Sequence, residues 1–377
     1  MTDVTHDVHG LSGDCEPAHW PVLGFEEVSE LLSDHAEIGT AQRITWHSPR
    51  PLSAACLVQC THAIVFVKRH HHSIRTVDTL EEEHRFIDHL RAAGLPLPAL
   101  LRDSVGRSAK AIGDWVYEVH ERAIGTDIYR DTMSWQPPAS TQHAYTAGAM
   151  LGRMHSASSE YHAPQRHTHL LVARSELLCA GDPIATLQAQ LPQRPALADY
   201  LRQRDWQTDL AMVLAPWHTA VQPRLTRQSR LWTHGDWHVS NLCWSGAEDD
   251  ARITAIVDFG LAAATFALFD LATAIERNAI SWLQLRLGEE AVHADIACAL
   301  IRGYRQQHAL DADAVHLLAD LLPLVHMDFA LSEVEYFNLL ADRHKADMAY
   351  DTFLRSHAAW FSTPPGRLLL RAIHDCA

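Results

Sequence analysis

Apolar residues alternate with polar ones in several short segments of the first third of the chain. Ala41–His47, Ser53–Gln59 and Ala63–Lys68 are rich in apolar and β-branched residues and are separated by turn-forming residues, a pattern typical of β-strands. Ala109–Gly113 and Trp115–His120 have the same character and meet at a predicted turn. Together these segments predict a five-stranded antiparallel sheet.

One predicted helix lies between the third and fourth strands. Asp78 is a favourable N-cap, glutamates follow in the first turns, and apolar residues recur at helical spacing through Phe86–Leu90. Gly94 ends this helix. A shorter helix, roughly Phe25–His35, is predicted ahead of the first strand. The pattern indicates a sheet with one helix laid against it.

The spacing of apolar residues becomes helical from Gln142 and stays mostly helical to the C-terminus. One exception is a predicted β-hairpin, in which residues 241–245 and 252–257 flank a polar turn. The chain is therefore predicted to have an α+β fold with two lobes, a small antiparallel sheet lobe and a larger, mainly helical lobe. We assign residues 1–40 to an N-terminal lead-in, 41–123 to the sheet lobe and 124–377 to the helical lobe.

The composition is that of a folded globular protein, with 47% hydrophobic and 20% charged residues in a chain of 377. A formal charge of −15 and the lack of a polybasic segment argue against nucleic acid as a partner. The polar, acidic opening does not resemble a secretory signal, and no apolar run reaches the length of a membrane-spanning helix. We therefore expect a cytoplasmic protein. Its seven cysteines contain no C-x-x-C pair, so we expect them to be reduced and to serve mostly in packing.

The predicted hairpin is flanked by residues that suit metal binding. Asn241 immediately precedes its first strand and Asp258 immediately follows its second, so antiparallel pairing brings the two side chains to the same end. Oxygen ligands of this kind suit Mg²⁺. Asp236 lies on the loop that precedes the hairpin and is not one of the two predicted metal ligands, Asn241 and Asp258. The spacing therefore predicts a magnesium site with a further carboxylate beside it.

Phosphoryl transfer requires this combination of groups. The reaction needs the phosphates held, their charge neutralised and an acceptor hydroxyl aligned with a base, for which Asp236 is the candidate. A lysine on the third strand and a glutamate on the following helix complete such a site. Lys68 ends the third predicted strand and Glu83 lies on the predicted helix, with Glu82 as an alternative in register. The sequence thus predicts a magnesium-dependent kinase for a small hydroxylated molecule, with ATP or GTP as donor.

The motifs from His234 to Asn241 and from Asp258 to Gly260, in this order, resemble those of the aminoglycoside phosphotransferase and choline kinase family. The resemblance covers roughly residues 40–340 and implies a protein-kinase-like fold with nucleotide and Mg²⁺ between the lobes. One departure is the first turn of the sheet, Ser48–Ser53, which has no glycine and therefore lacks the glycine-rich lid of protein kinases.

The resemblance also implies roles for individual residues. It implies that Asp236 is the catalytic base and that Asn241 and Asp258 bind Mg²⁺. It implies that Lys68 and Glu83 orient the phosphates, and that the segment from Glu121 to Ala123 is the hinge that binds the nucleotide base. In this reading His234 opens the catalytic loop and Asp270 braces it.

Two other functions are compatible with part of the pattern. A pseudokinase would keep the fold without turnover, although this chain retains all of the predicted kinase residues. A metal-dependent hydrolase would use His234, Asp236 and His238, which leaves the downstream Asn241 and Asp258 unexplained. The kinase accounts for more of the sequence than either alternative.

The acceptor stays open among aminoglycosides, amino alcohols, hydroxy amino acids, sugars and other natural products, as does the oligomeric state. Acidic residues in the C-terminal helices would suit an amine-bearing acceptor, but each is equally explained as part of an exposed helix face. These residues are Asp328, Glu333, Glu335, Asp342 and Asp347. The run His70–His72 is expected to be a solvated strand end, and no role is assigned to it.

Overall fold

The computed structural model describes residues 19–48, 50, 52–130 and 135–377. Residues 1–18, from which we inferred that the chain has no secretory signal, lie outside these ranges. Residues 49 and 51 of the predicted first turn and residues 131–134 lie outside them as well. The described chain divides into two compact units. The sheet unit comprises residues 19–126 and 254–257, and the helical unit comprises the other described residues. The predicted domain boundaries stay a prediction.

The sheet unit is built on five antiparallel strands in the order β1-β2-β3-β5-β4. The strands are β1 (Ala41–His47), β2 (Ala54–Cys60), β3 (Ile64–His71), β4 (Ala109–Ile112) and β5 (Trp115–Glu121). Two helices accompany them, α1 (Phe25–Leu32) and α2 (Val77–Ala92). Apolar side chains of α1 and of the central strands, among them Leu31, Val58, Val67 and Val119, are buried in one core cluster. Burial of this apolar surface is what stabilises the unit.

The α+β fold class predicted from the sequence is confirmed, although two local predictions are wrong. Helix α2 is capped by Thr76, whose hydroxyl accepts a hydrogen bond from the Thr79 N–H at 3.3 Å, so Asp78 lies inside the first turn. Thr76, two residues before Asp78, is the N-cap because its hydroxyl accepts a hydrogen bond from a free N–H group of the first turn. The run His70–His72 lies at the end of β3 and His72 is exposed as predicted, but His70 is buried, with 8% of its surface exposed.

The helical unit consists mostly of helices, with short strands around one loop region. Its helices are α3 (Thr141–Ser158), α4 (Glu176–Cys179), α5 (Pro183–Gln190), α6 (Pro195–Leu201), α7 (Trp206–Leu214), α8 (His218–Leu225), α9 (Ala267–Asn278), α10 (Ala294–Arg305), α11 (Ala312–Leu321), α12 (Met327–Leu339), α13 (Arg343–Met348), α14 (His357–Trp360) and α15 (Pro364–His374). A π-helical segment, Ala349–Ser356, joins α13 to α14.

Helices α3 and α10 pack so closely that their backbones touch. A Cβ atom on Gly303 of α10 would lie 1.9 Å from the carbonyl oxygen of Tyr145 on α3. A Cβ atom on Gly148 of α3 would lie 2.1 Å from the carbonyl oxygen of Leu300. Only glycine fits at either position, and the pair fixes α3 beside the core.

Four short strands frame the predicted catalytic and metal loops. Strand β6 (Arg230–Thr233) pairs antiparallel with β9 (Ala263–Phe266), and Thr233 lies opposite Ala263. Strands β7 (Leu242–Trp244) and β8 (Ile253–Ile256) flank the predicted turn of the hairpin. The loop after β6 and the segment before β9 are therefore neighbours.

Two cysteines are paired, contrary to the sequence-based expectation. Cys298 on α10 and Cys376 near the C-terminus form a disulfide with a Cα–Cα distance of 6.2 Å. Their separation of 78 residues in the chain gave no motif to recognise. Among the described cysteines, Cys56, Cys60 and Cys243 are buried and are not in a disulfide, as a packing role requires.

The segment Ala312–Leu339 is apolar and long enough to cross a membrane by length and composition. However, 78% of its most apolar window is buried inside the protein, where α11 and α12 form part of the core. Such burial is typical of a core helix.

Candidate active site

The loop that follows β6 carries the predicted catalytic aspartate and has a backbone that requires glycine. Gly235 has a φ of +78°, in the left-handed region that other residues avoid. A Cβ atom there would also lie 2.7 Å from both the Ala173 Cβ and the Leu261 carbonyl oxygen. The loop therefore lies directly against the segment that follows Asp258.

Asp270 holds this loop through its backbone. Its carboxylate accepts hydrogen bonds from the N–H groups of His234 at 2.9 Å and Gly235 at 2.8 Å. His155 of α3 donates to the same carboxylate from Nε2 at 3.0 Å and accepts from the Tyr304 hydroxyl at Nδ1. Burial raises the pKa of Asp270, but these bonds outweigh it and leave the pKa below its usual value. Asp270 thus supports the loop without facing solvent.

Asp236 is the partly accessible acid of the loop, with one fifth of its side chain exposed. Its carboxylate lies 3.4 Å from His238 Nε2 and 3.3 Å from Arg277 Nε. Burial alone would raise its pKa, but the interactions with His238 and Arg277 outweigh burial and hold the pKa well below the usual range. The carboxylate is therefore ionised at neutral pH and accessible on one side.

Asn241 is tied directly to Asp236. It ends the short helical turn Val239–Asn241, and its Nδ2 donates to the Asp236 backbone carbonyl at 2.9 Å and to the Asp236 carboxylate at 3.3 Å. Since both bonds use the amide nitrogen, the Oδ1 atom is the side-chain atom that suits a hard cation. The structure thus brings the predicted base and one predicted metal ligand together.

Asp258 follows β8 in a left-handed backbone conformation, with φ of 62° and ψ of 66°. This conformation is uncommon for a residue with a side chain and is found disproportionately at functional sites. The next residue, Phe259, packs its ring 4.7 Å from that of His234, measured between centroids. The predicted metal loop and the predicted catalytic loop are therefore in contact within the helical unit.

The other predicted site residues belong to the sheet unit. Lys68 lies on β3, and Glu83 on α2 is only 3% exposed, which favours it over the less buried Glu82. Glu121 ends β5, and its N–H donates to the Ala99 carbonyl at 2.8 Å. Ala123 follows this strand in a loop. Each residue lies on the type of element that the sequence predicted for it.

The histidines of the alternative hydrolase site do not form a metal centre. His234 Nδ1 accepts a hydrogen bond from the Asp236 backbone N–H at 3.2 Å, and His238 Nδ1 lies 2.6 Å from the Ser240 hydroxyl. Among the described residues, two groups of potential ligand atoms converge within 4.8 Å, and His234, Asp236 and His238 are in neither. The geometry therefore speaks against a hydrolase at this position.

A small cavity beside the loop was missed by sequence reasoning. Its volume is about 10 Å³, enough for one water-sized group. It is lined by Ala173, Gly235, Phe269, Thr273, Glu276, Arg277, Val325, His326 and Phe329. These residues come from α9, α12 and three loops, so no single stretch of sequence predicts the cavity. The one available signal is the Glu276-Arg277 pair, about two helical turns beyond Asp270 on α9.

Glu276 is the buried acid of this cavity, with 2% of its side chain exposed. Its Oε1 atom accepts no hydrogen bond from the described residues, and lies 3.7 Å from His326 Nδ1 and 3.8 Å from His357 Nδ1. Burial raises the pKa of Glu276 to about 7, with Arg277 opposing the rise and Asp236 adding to it. A buried carboxylate held in this way favours a cationic neighbour.

The acidic residues that the sequence analysis considered as binding sites for an amine have other roles in the structure. The alternative explanation, that they lie on an exposed helix face, is wrong for several of them. Glu335 is buried and pairs with Arg194 at 2.6 Å. Burial raises the pKa of Asp328 to about 6. Asp342 caps α13, and Asp347 pairs with Arg204 at 2.6 Å. Only Glu333, 3.9 Å from His326 Nε2, lies next to the residues of the cavity.

Comparisons with known proteins agree with this architecture. A model of the phosphotransferase enzyme family matches residues 54–310. The chain matches no curated protein sequence. Among solved structures, an amicoumacin kinase in complex with AMP-PNP, Ca²⁺ and Ami is 16% identical, with 92% of each chain covered and a TM-score of 0.57.

Two further solved structures have the same fold. A microcompartment-associated aminopropanol kinase is 15% identical over 90% of this chain and 98% of its own, with a TM-score of 0.52. An aminoglycoside phosphotransferase from Alicyclobacillus acidocaldarius is 14% identical over 94% of this chain and 96% of its own, with a TM-score of 0.52. At these identities the likeness concerns the fold alone.

Proposed function

This chain belongs to the phosphotransferase enzyme family, and we propose from this premise that it transfers the γ-phosphate of ATP or GTP to a hydroxyl of a small, amine-bearing molecule. The observation that carries the proposal is the state of Asp236. Its carboxylate is ionised, partly exposed and bonded to Asn241, on a loop whose backbone is held by Asp270. A fixed acid of this kind is what an acceptor hydroxyl requires.

Asp236 acts as the base in this proposal. Its carboxylate accepts the hydrogen bond of the acceptor hydroxyl, aligns the oxygen with the γ-phosphorus and receives the proton. The new bond to phosphorus forms as the bond to the β,γ-bridging oxygen breaks and the nucleoside diphosphate leaves. Its depressed pKa makes it a weak base, which suits a loose transition state in which the proton leaves late. Positioning is then its main contribution.

The donor atoms near Asp236 fit Mg²⁺. The amide oxygen of Asn241 and the carboxylate of Asp258 would hold the ion, both being hard oxygen ligands on loops in mutual contact. When bound, Mg²⁺ neutralises phosphate charge during transfer. In the sheet unit, Lys68 and Glu83 would orient the phosphates, and the backbone from Glu121 to Ala123 would bind the nucleotide base.

The amine of the acceptor is assigned to the cavity beside the loop. Glu276 and Glu333 replace Asp328 and Glu335 as the acidic residues for this role, because Glu335 already pairs with Arg194. Arg277 lies 3.3 Å from Asp236 and 3.5 Å from Glu276, so the base and the cavity share one arginine. The cavity is too small for a whole acceptor and would receive only the amino group.

The cytoplasm, which supplies ATP and Mg²⁺, is the compartment proposed for the reaction.

The test is nucleotide turnover by the purified chain against a panel of aminoglycosides, amino alcohols, hydroxy amino acids and neutral sugars, with Mg²⁺ present. Asp236→Asn is expected to lower acceptor-stimulated turnover by about 10²- to 10⁴-fold, because it removes the proton acceptor. Asp249→Asn, at an exposed position, is the matched control and should keep full activity.

Nucleotide binding separates the alternatives. Asp236→Asn should still bind the nucleotide with Mg²⁺, since the predicted ligands remain. Wild-type protein that binds nucleotide but turns over no acceptor on the panel would favour the pseudokinase. Turnover that survives Asp236→Asn would refute the assigned base, and a preference for neutral sugars would refute the amine site.

A further inference from the structure

A second polar cluster lies within the sheet unit, apart from the residues proposed for catalysis. It surrounds the carboxylate of Glu118, which is only 2% exposed. The Glu118 Oε2 atom lies 2.8 Å from His84 Nε2 and 3.0 Å from His120 Nε2. The Oε1 atom lies 3.1 Å from His70 Nε2. Three imidazoles therefore converge on one carboxylate through the same ring atom.

Strand register places these residues together. Lys68 on β3 lies opposite Glu118 on β5, and His70 and His120 are each two residues further along their strands. Side chains two residues apart point to the same face of a sheet, so all of them share a face with Lys68. His84 reaches this face from α2, one residue after Glu83. The cluster joins β3, β5 and α2.

We propose that His84, Glu118 and His120 bind one transition-metal ion of the Zn²⁺ type, while His70 keeps its hydrogen bond to the second carboxylate oxygen of Glu118. Imidazole nitrogen and carboxylate oxygen are the ligands that Zn²⁺ accepts in proteins. The ligand atoms of His84, Glu118 and His120 all lie within 4.8 Å of one another. The proposal does not depend on the assigned reaction.

The spacing fits a tetrahedral ion. Bonds of about 2.0–2.1 Å separate neighbouring ligand atoms by about 3.3 Å in that geometry. The distances from Glu118 Oε2 to the Nε2 atoms of His84 and His120, 2.8 and 3.0 Å, lie within a few tenths of an ångström of that separation.

A hydroxyl next to His84 fits a metal-binding imidazole. Ser108 lies 2.8 Å from His84 Nδ1, and an outer hydrogen bond of this kind orients a metal-binding ring. A metal ion would take the place of the protons that the Nε2 atoms now direct at Glu118. The remaining proton of His84 would then lie on Nδ1, where the Ser108 hydroxyl can accept it.

An ion at this position would fasten α2 to β3 and β5. Since α2 carries Glu83 and β3 carries Lys68, the ion would hold the two elements whose residues are assigned to the phosphates. It would act by positioning, because none of its ligands is assigned to nucleotide or acceptor. The expected consequence is a more stable sheet unit when the metal is bound.

The test uses full-length protein without a histidine tag, stripped of metal with a chelator and then kept in excess Mg²⁺. Titration with Co²⁺ should produce the visible absorption of a tetrahedral nitrogen and oxygen site with one ion per chain, and Zn²⁺ should displace it. Zn²⁺ should also raise the unfolding temperature. His84→Gln and His120→Gln should each weaken the affinity about 100-fold or more, since direct ligands matter more than outer ones.

Two controls assign the ion to this cluster. His72→Gln changes an exposed histidine next to the cluster and should bind Co²⁺ as the wild type does. His357→Gln changes the second histidine-containing group and should also leave the affinity unchanged. If the wild type shows neither Co²⁺ absorption nor a Zn²⁺-dependent unfolding temperature, the cluster is a hydrogen-bond network only and the proposal fails. It fails equally if both His84→Gln and His120→Gln fold, by circular dichroism, and bind as tightly as the wild type.

Discussion

Replacement of Glu276 by glutamine is expected to make the protein more stable and less able to bind its acceptor. The pKa of Glu276 rises from 4.5 to about 7 on folding, mainly because the carboxylate is buried. The folded state therefore resists ionisation, and wild-type stability is lost as the pH rises from about 4.5 to about 7. At 1.36 kcal/mol for each pKa unit, the loss is about 3 kcal/mol above pH 7.

Glutamine cannot ionise and avoids this loss. Arg277 keeps Asp236 as a partner at 3.3 Å, so no buried charge is left without compensation. With an unfolding entropy of about 2.1 cal/mol/K per residue, 3 kcal/mol corresponds to about 4 °C for a chain of 377 residues. Thermal unfolding at pH 8 should show Glu276→Gln higher by about this amount, with no difference at pH 4.5.

Acceptor binding should respond in the opposite direction. The wild-type KM for an amine-bearing acceptor should fall as the pH rises through about 7, because the ionised carboxylate attracts the ammonium group. In Glu276→Gln the KM should be high and lose this pH dependence. Glu290→Gln, an exposed control, should match the wild type in both assays. A mutant no more stable than the wild type at pH 8, or a stability difference that is the same at pH 4.5, would refute the assignment of a strained buried charge.

Three further changes test other parts of the structure. Asp270→Asn should lower kcat by about 100-fold or more with a smaller effect on acceptor KM, because the backbone N–H groups of His234 and Gly235 lose a charged hydrogen-bond acceptor. Steady-state kinetics measure both constants, and an unchanged kcat would mean that the catalytic loop does not need this support. Glu335→Ala should lower stability by about 3 kcal/mol and leave acceptor KM unchanged, because the buried Arg194 would lose the carboxylate that accepts its Nε–H hydrogen bond at 2.6 Å. A raised KM with normal stability would restore the sequence-based assignment of this residue to the acceptor. Gly303→Ala should lower the unfolding temperature strongly or prevent folding, because the new Cβ atom would lie 1.9 Å from the Tyr145 carbonyl oxygen. Gly181→Ala should have little effect, because there is open space around that position. Similar unfolding temperatures for the two variants would contradict the close packing of α3 and α10.

Local sequence carried the information for elements and for neighbours in the chain. Alternating apolar residues predicted the five strands, and the order of Asp236, Asn241 and Asp258 predicted loops that meet at one hairpin. Such predictions succeed because hydrophobic periodicity and short antiparallel connections constrain the backbone over a few residues. The prediction that Asp78 caps α2 was wrong, because Thr76, about half a turn earlier, is the N-cap.

Contacts between distant segments were decided only by tertiary structure. Glu276 of α9 lies beside His326 and His357, and the proposed metal cluster combines His84 of α2 with Glu118 and His120 of β5. Periodicity shows that such side chains lie on a buried face, but not which partner lies opposite, because that depends on strand register and on how helices pack. The same holds for Glu335, whose burial against Arg194 turned a residue proposed for the acceptor into part of the core. The sequence by itself thus determined the fold class and the order of the predicted kinase residues, while packing decided which acids are free to meet a substrate.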